Sequence, residues 1–195
     1  RSLLFEQEFN YDDIVFLEEG IAYNGIKAKH IIFAEGFGMH QNPYFNFLPL
    51  DGTKGELFII KAPNLTIDVI VNTSVFILPL GDGLFKVGAT YNWKDKTDLP
   101  TSDGKEELIA RIKEIISCEF EVIDHFAGVR PTVRDRRPLV GTHDTYSQLH
   151  ILNGLGTRGV MLGPSMAKAL YNNIEHQLPL SDEINWNRYL KKFRK

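Results

Sequence analysis

Hydrophobic and polar positions along the chain follow two rhythms, one short and one helical. From Leu4 to Ala34 short β-like runs alternate with turns: FEQEF first, then DIVFLEEGIAYNGIKAKHIIFAEG, where Asn24-Gly25 predicts a hairpin. His30 to Ala34 is continuously apolar, the pattern of a strand buried on both faces of a parallel sheet. Residues 36–50 (GFGMHQNPYFNFLPL) are aromatic, broken by Gly and Pro and aperiodic, which predicts a crossing segment between layers. The β-type runs GELFII, DVIV, SVFILPL and LFKVGATYN follow, with Gly81-Asp82-Gly83 as a hairpin turn between the last two.

Helical spacing then takes over. Leu108, Ile109, Ile112, Ile115 and Ile116 share one face behind a capping-box-like start at Asp103 and Glu106. A strand-like EFEVIDHFAGVR, a basic turn PTVRDRRP, an apolar LVGTHD and a short strand at Leu149–Leu152 come next. Ala167, Leu170, Tyr171 and Ile174 mark a second helix, and Trp186, Tyr189, Leu190 and Phe193 a third, its end basic through Lys191, Lys192, Arg194 and Lys195. Sheet-like strands at both chain ends enclose a strand-rich middle, so the expected class is α/β with α+β character. Residues 1–40 and 146–195 are expected to form one α/β domain. Residues 41–145 are expected to form a strand-rich domain with a large mixed or antiparallel sheet flanked by helices.

Composition narrows the function classes. A chain of 195 residues with 43% hydrophobic residues and a formal net charge of −3 is an ordinary globular protein, and its charge does not suit a nucleic-acid-tracking surface. Its one cysteine, Cys118, has no partner for an internal disulfide, which points to a reducing, cytoplasmic setting. No apolar run reaches the length of a membrane span. The chain opens on Arg1-Ser2-Leu3-Leu4-Phe5 rather than on methionine, so it is expected to be a piece of a longer polypeptide.

Two stretches carry candidate chemistry. Gly154, Gly156 and Gly159 stand in G-x-G-x-x-G spacing between a strand and a helix, as in a pyrophosphate-binding turn. The second half of that context is missing, because Gln177 to Asp182 breaks the pattern and no further β run follows. The other stretch is FAGVRPTVRDRRPLVG, residues 126–141. Arg130 closes a small-residue strand and precedes Pro131, which holds the chain rigid as it leaves and suits an arginine that grips a carboxylate with both nitrogens. Asp135 reads as the partner of neighbouring arginines. The six histidines show no metal spacing. His125, five positions before Arg130, and Tyr91 and Trp93 at the end of the central hairpin are candidates to line a substrate pocket, with core packing as the competing role.

AGVRPTVRDRRPLVG followed by LHILNGLGTRGVMLGP resembles the C-terminal part of the D-amino-acid oxidase, glycine oxidase and sarcosine oxidase superfamily of FAD-dependent oxidoreductases. KAKHIIFAEG, LPLDGTKGELFII and FILPLGDGLFKVGATY add matches in the family's order from about residue 20 to 176. The resemblance implies an FAD domain from the two chain ends, a substrate domain from the middle, and oxidation of the C–N bond of a small amino or N-substituted amino acid by hydride transfer to FAD. Oxidation of a 2-hydroxy acid, a tRNA-modifying oxidase domain and a non-catalytic module with an inherited fold are the alternatives. It further implies that Gly156, Thr157, Arg158, Gly159, Val160, Met161 and Gly36 neighbour the cofactor, and that Arg130 holds the substrate carboxylate with Tyr91 and His125 nearby. The family's own pyrophosphate-binding glycines open its chain, and this sequence has none there, so a fragment lacking that unit is expected.

Overall fold

The computed structural model describes residues 4–190, which fold into two compact units. Among these residues, one unit comprises 4–50 and 132–190, the other 51–131. The segments 41–50 and 132–145 therefore belong with the chain ends rather than with the strand-rich middle. The reason is apolar burial: Phe45, Leu48, Leu50, Val133 and Leu139 lie in the same core as Trp186, Phe33, Leu149 and Ile151.

The first unit opens with β1 (Val15–Phe16), β2 (Ile21–Tyr23), β3 (Ile26–Ala28) and β4 (Ile31–Phe33). β1 to β3 form an antiparallel meander whose second turn is Asn24-Gly25, both with positive φ, the conformation that Asn-Gly favours. FEQEF forms no strand, and a 3-10 turn at Tyr11–Asp13 precedes β1. The crossing segment contains a 3-10 helix, Gly36–Gln41, whose Met39 is buried.

In the second unit, β5 (Thr53–Lys61), β6 (Val71–Asn72), β7 (Phe76–Gly81), β8 (Leu84–Gly88), α1 (Ser102–Lys113) and β9 (Glu121–Arg130) follow in sequence. The strands form one antiparallel sheet in the order β6-β7-β8-β5-β9. Residues on alternate sides of β5 meet different surroundings. Phe58 and Ile60 pack with Ile77, Phe85 and Val87 against Leu108, Ile112 and Ile116 of the helical segment, and so define the helix side. Leu57 and Ile59 point the other way. The cap of α1 is Thr101, whose hydroxyl accepts from Gly104 N at 3.0 Å, two residues earlier than the expected Asp103.

The chain then returns to the first unit as β10 (Leu139–Thr142), β11 (Leu149–Asn153) and α2 (Gly159–His176). β11 pairs antiparallel with β10 and parallel with β4, the union of chain ends that the pattern predicts. Ile32 of β4 is half exposed, so this strand is not buried on both faces. The third helical segment is a short 3-10 turn, Trp186–Tyr189, and the basic residues 191–195 lie outside the described region. No helix among the described residues is long and apolar enough to cross a membrane.

Candidate functional site

Each unit carries candidate site residues of its own. In the second unit the register pairs Thr53 with Arg130, Gly55 with Gly128 and Leu57 with Phe126. Arg130, Gly128 and Phe126 therefore share the sheet face opposite α1. The guanidinium of Arg130 lies flat on Gly55: a Cβ there would come within 2.1 Å of Nη2. Its Nη1 donates to the carbonyls of Thr90 (3.3 Å) and Thr53 (3.5 Å), and its Cζ stacks 4.5 Å from the centre of the Tyr91 ring. Burial lowers the pKa of Arg130 from its usual value, but the group stays a cation at any physiological pH. Beside it Gly128 opens onto unfilled space, and Phe126 and Tyr91 are each about half exposed. The result is a cation fixed in one plane on a glycine floor, bordered by aromatic rings, which is the geometry for receiving a small planar anion.

The structure brings Arg130 and Tyr91 together, but it does not add His125. His125 and Arg130 are five positions apart, an odd offset, so in a regular strand their side chains point to opposite faces. His125 lies on the helix side against the Phe58 ring, with Nε2 2.7 Å from Glu56 Oε2 but off the line of a hydrogen bond. Glu56 is itself committed to the start of α1, accepting from Thr101 N at 3.0 Å and Thr101 Oγ1 at 2.7 Å. His125 thus belongs to the join between sheet and helix and not to the arginine face.

In the first unit the glycine turn runs from Asn153 through a 3-10 turn, Gly156–Arg158, into α2. Its glycines have different reasons to be glycine. Gly154 has φ +71° and no room, since a Cβ would meet Val133 Cγ2 at 2.6 Å. Gly156 needs its positive φ of +57° but has ordinary space around it. Gly159 is helical, and a Cβ there would make only an ordinary 3.7 Å contact with Leu155. Next to it Val160 is 98% exposed and Met161 68% exposed. The first turn of α2 has no acidic residue and no side-chain cap.

Gly36 joins this neighbourhood. Its carbonyl accepts from Asn153 Nδ2 at 2.8 Å, and a side chain on it would meet open space. Arg158 reaches back to the carbonyl of Arg136 at 3.1 Å and so braces the turn, while Thr157 is exposed. Asp135 does bind an arginine, but a distant one: Arg188 donates to it at 2.8 and 3.3 Å, and Tyr189 adds its hydroxyl at 2.5 Å.

An exposed apolar step, a helical glycine at position 159 that neither backbone conformation nor packing requires, and uncapped helical N–H groups fit a planar ring with an electron-rich edge. The chain falls in a flavin-dependent class of oxidoreductases. The family model for DAO, described as FAD dependent oxidoreductase, matches residues 9–172, and the chain is a member of that family. Glycine oxidase of Bacillus subtilis is 25% identical over 174 residues, covering 86% of this chain and 45% of the relative. The tRNA 5-methylaminomethyl-2-thiouridine biosynthesis bifunctional protein MnmC of Marinobacter nauticus is 22% identical over 191 residues, covering 87% of this chain and 30% of the relative. Iminodiacetate oxidase from Chelativorans sp. BNC1 shares the fold, with TM-score 0.72, 22% identity, and coverage of 88% of this chain and 51% of that one. The chain spans about half the length of the glycine oxidases it matches.

Proposed function

We propose that the protein containing this chain oxidises the C–N bond of a small amino or N-substituted amino acid, with FAD as the acceptor. The observation that carries the reading is the guanidinium of Arg130, held flat over Gly55 beside Tyr91 and next to the open floor at Gly128. Family membership and the similarity to glycine oxidases support it. The arginine fork binds the substrate carboxylate and fixes its plane, which orients the Cα–H and amine of a molecule this small. Tyr91 covers one side of the pair and limits its hydration. Bound FAD supplies the two-electron oxidising power. In the first unit Gly36, Gly156 and the Gly159–Met161 turn would border the ring, with no side chain at the three glycines and the apolar Val160 and Met161 beside them, while the N–H groups of α2 favour negative charge at its edge.

The same arginine would serve a 2-hydroxy acid, so the experiment separates the two bonds. The FAD-loaded protein is mixed anaerobically with glycine, N-methylglycine or glycolate, and flavin absorbance is followed. Bleaching by either amine and not by glycolate is the expected result, and bleaching by glycolate alone overturns the C–N assignment. A second reading, oxidation of a group carried on tRNA, is favoured by the relatives whose names give tRNA 5-methylaminomethyl-2-thiouridine biosynthesis. It predicts salt-dependent retention on tRNA, against which the net charge of −3 speaks.

A further inference from the structure

We propose that Lys54 is a positioning residue for the carboxylate anchor, acting on Arg130 through the 90–99 segment from the opposite side of the sheet; the inference rests on the carboxylate role of Arg130 given above. Lys54 is completely buried near the start of β5, on the helix side. Its ammonium donates to Asp95 Oδ2 at 2.5 Å, Thr97 Oγ1 at 3.2 Å and the Leu99 carbonyl at 2.5 Å. Those three bonds use all of its N–H donors, and all three end within five residues of one another on one segment. Its main chain grips the same segment again, exchanging two 2.9 Å bonds with Asn92.

The next steps along β5 extend the grip toward the anchor. Gly55 is the floor under the guanidinium. Glu56 bonds Thr90 twice, its carbonyl accepting from Thr90 N at 3.2 Å and its N–H donating to Thr90 Oγ1 at 2.9 Å. Thr90 in turn offers its carbonyl to Arg130, and Tyr91 offers its ring. The two groups that hold the guanidinium from the segment thus lie between fastenings made by Lys54 and Glu56.

A buried ammonium is a costly fastener if stability were all it provided, since apolar replacements of buried ion pairs are often as stable or more so. A lysine spent on three acceptors in one loop is suited instead to fixing where that loop sits. Lys96 adds a bond to the Gly52 carbonyl at 2.7 Å and a pair with Asp51, so the segment is fastened on both sides of Asp95.

The test compares acetate with acetamide, its neutral counterpart of similar shape, by calorimetric titration of the FAD-loaded protein. The variants are Lys54→Met, the loop-side double substitution Asp95→Ala with Thr97→Ala, and Arg130→Ala as reference. Loop order is read separately as the rate of tryptic cleavage after Lys94 and Lys96. Both loop variants are expected to bind acetate roughly 10-fold more weakly, with acetamide unaffected and cleavage accelerated. Arg130→Ala is expected to lose acetate binding with cleavage unchanged. Where Lys54→Met does not fold, the double substitution decides. Faster cleavage with wild-type acetate affinity makes Lys54 a structural residue and overturns the inference alone. Wild-type acetate affinity in Arg130→Ala overturns the carboxylate reading itself, and this inference with it.

Discussion

The arginine face of the second unit and the glycine turn of the first achieve precision in opposite ways. At Arg130 the position is over-determined: a glycine floor, two carbonyls and an aromatic ring fix one guanidinium, and the segment supplying two of those contacts is fastened by a buried lysine. At Gly156 to Met161 little is fixed by side chains; the turn offers backbone, space and an apolar step nearly bare to solvent. A small anion must be oriented by directed hydrogen bonds, whereas a broad ring needs a flat approach that side chains would obstruct. Small residues in the two regions are therefore not equivalent. Gly55 makes room for the Arg130 side chain, whereas a Cβ at Gly159 would make only an ordinary contact with Leu155.

Substituting the glycines separates these roles. The largest effect is expected at Gly154, where the left-handed backbone and the 2.6 Å approach to Val133 coincide. Gly154→Ala should destabilise the fold by about 2–4 kcal/mol, measured by urea unfolding. Gly55→Ala acts differently, because the atom it strikes is the movable end of Arg130. It should lower kcat/KM for a carboxylate-bearing amine by roughly 30-fold while Tm moves by no more than about 3 °C. A loss of stability matching the loss of activity would show that the floor serves packing.

Gly159→Ala sits at a helical position with ordinary space. Stability should stay the same or rise by up to about 1 kcal/mol, because alanine is the better helix former. Flavin affinity, read by fluorescence titration, should nevertheless fall by roughly fivefold, since the added methyl group intrudes on the ring's approach. Unaltered flavin affinity would return Gly159 to the ordinary chain.

The smallest effect is a pH dependence. His150 is buried, with Nε2 2.9 Å from His30 Nδ1 and Nδ1 2.9 Å from Thr142 Oγ1. Burial, assisted by His30, lowers its pKa to about 4. The folded value lies below the unfolded 6.5, so the unfolded chain binds the proton first. Stability should be fully retained above pH 6.5 and decline as pH falls toward 4. His150→Gln should flatten that part of the profile in denaturant titrations.

Much of this arrangement was legible in sequence because it depends on local pattern. The Asn24-Gly25 and Gly81-Asp82-Gly83 turns, the strand ending at Arg130 and the helix beginning at Gly159 are all encoded by short-range chemistry. The opposite orientation of His125 was legible too, since period-two alternation separates positions 125 and 130, but proximity in sequence suggested otherwise. Thr101 could have been found as the cap from its place before Ser102-Asp103, where two adjacent acceptor residues competed.

Other features had no local sign. Asp135 finds Arg188, 53 residues away, in preference to the arginines beside it. Lys54 sits where a charged residue ordinarily marks a solvated face, and its partners lie more than 40 residues downstream. The unit boundaries moved because the crossing segment and the basic turn carry isolated large apolar residues such as Phe45 and Val133, whose burial partners no periodicity reveals.

Whether Arg130 anchors a substrate carboxylate is decided by kcat/KM of the FAD-loaded protein for glycine and for methylamine, which lacks the carboxylate. Arg130→Ala should lower the value for glycine by roughly 30- to 1,000-fold, with Arg130→Lys recovering only part, since a point charge attracts without orienting. Flavin content should be unchanged, and methylamine oxidation, however slow, should differ little between wild type and variant. An equal loss with both amines, or no loss with glycine, would contradict the account.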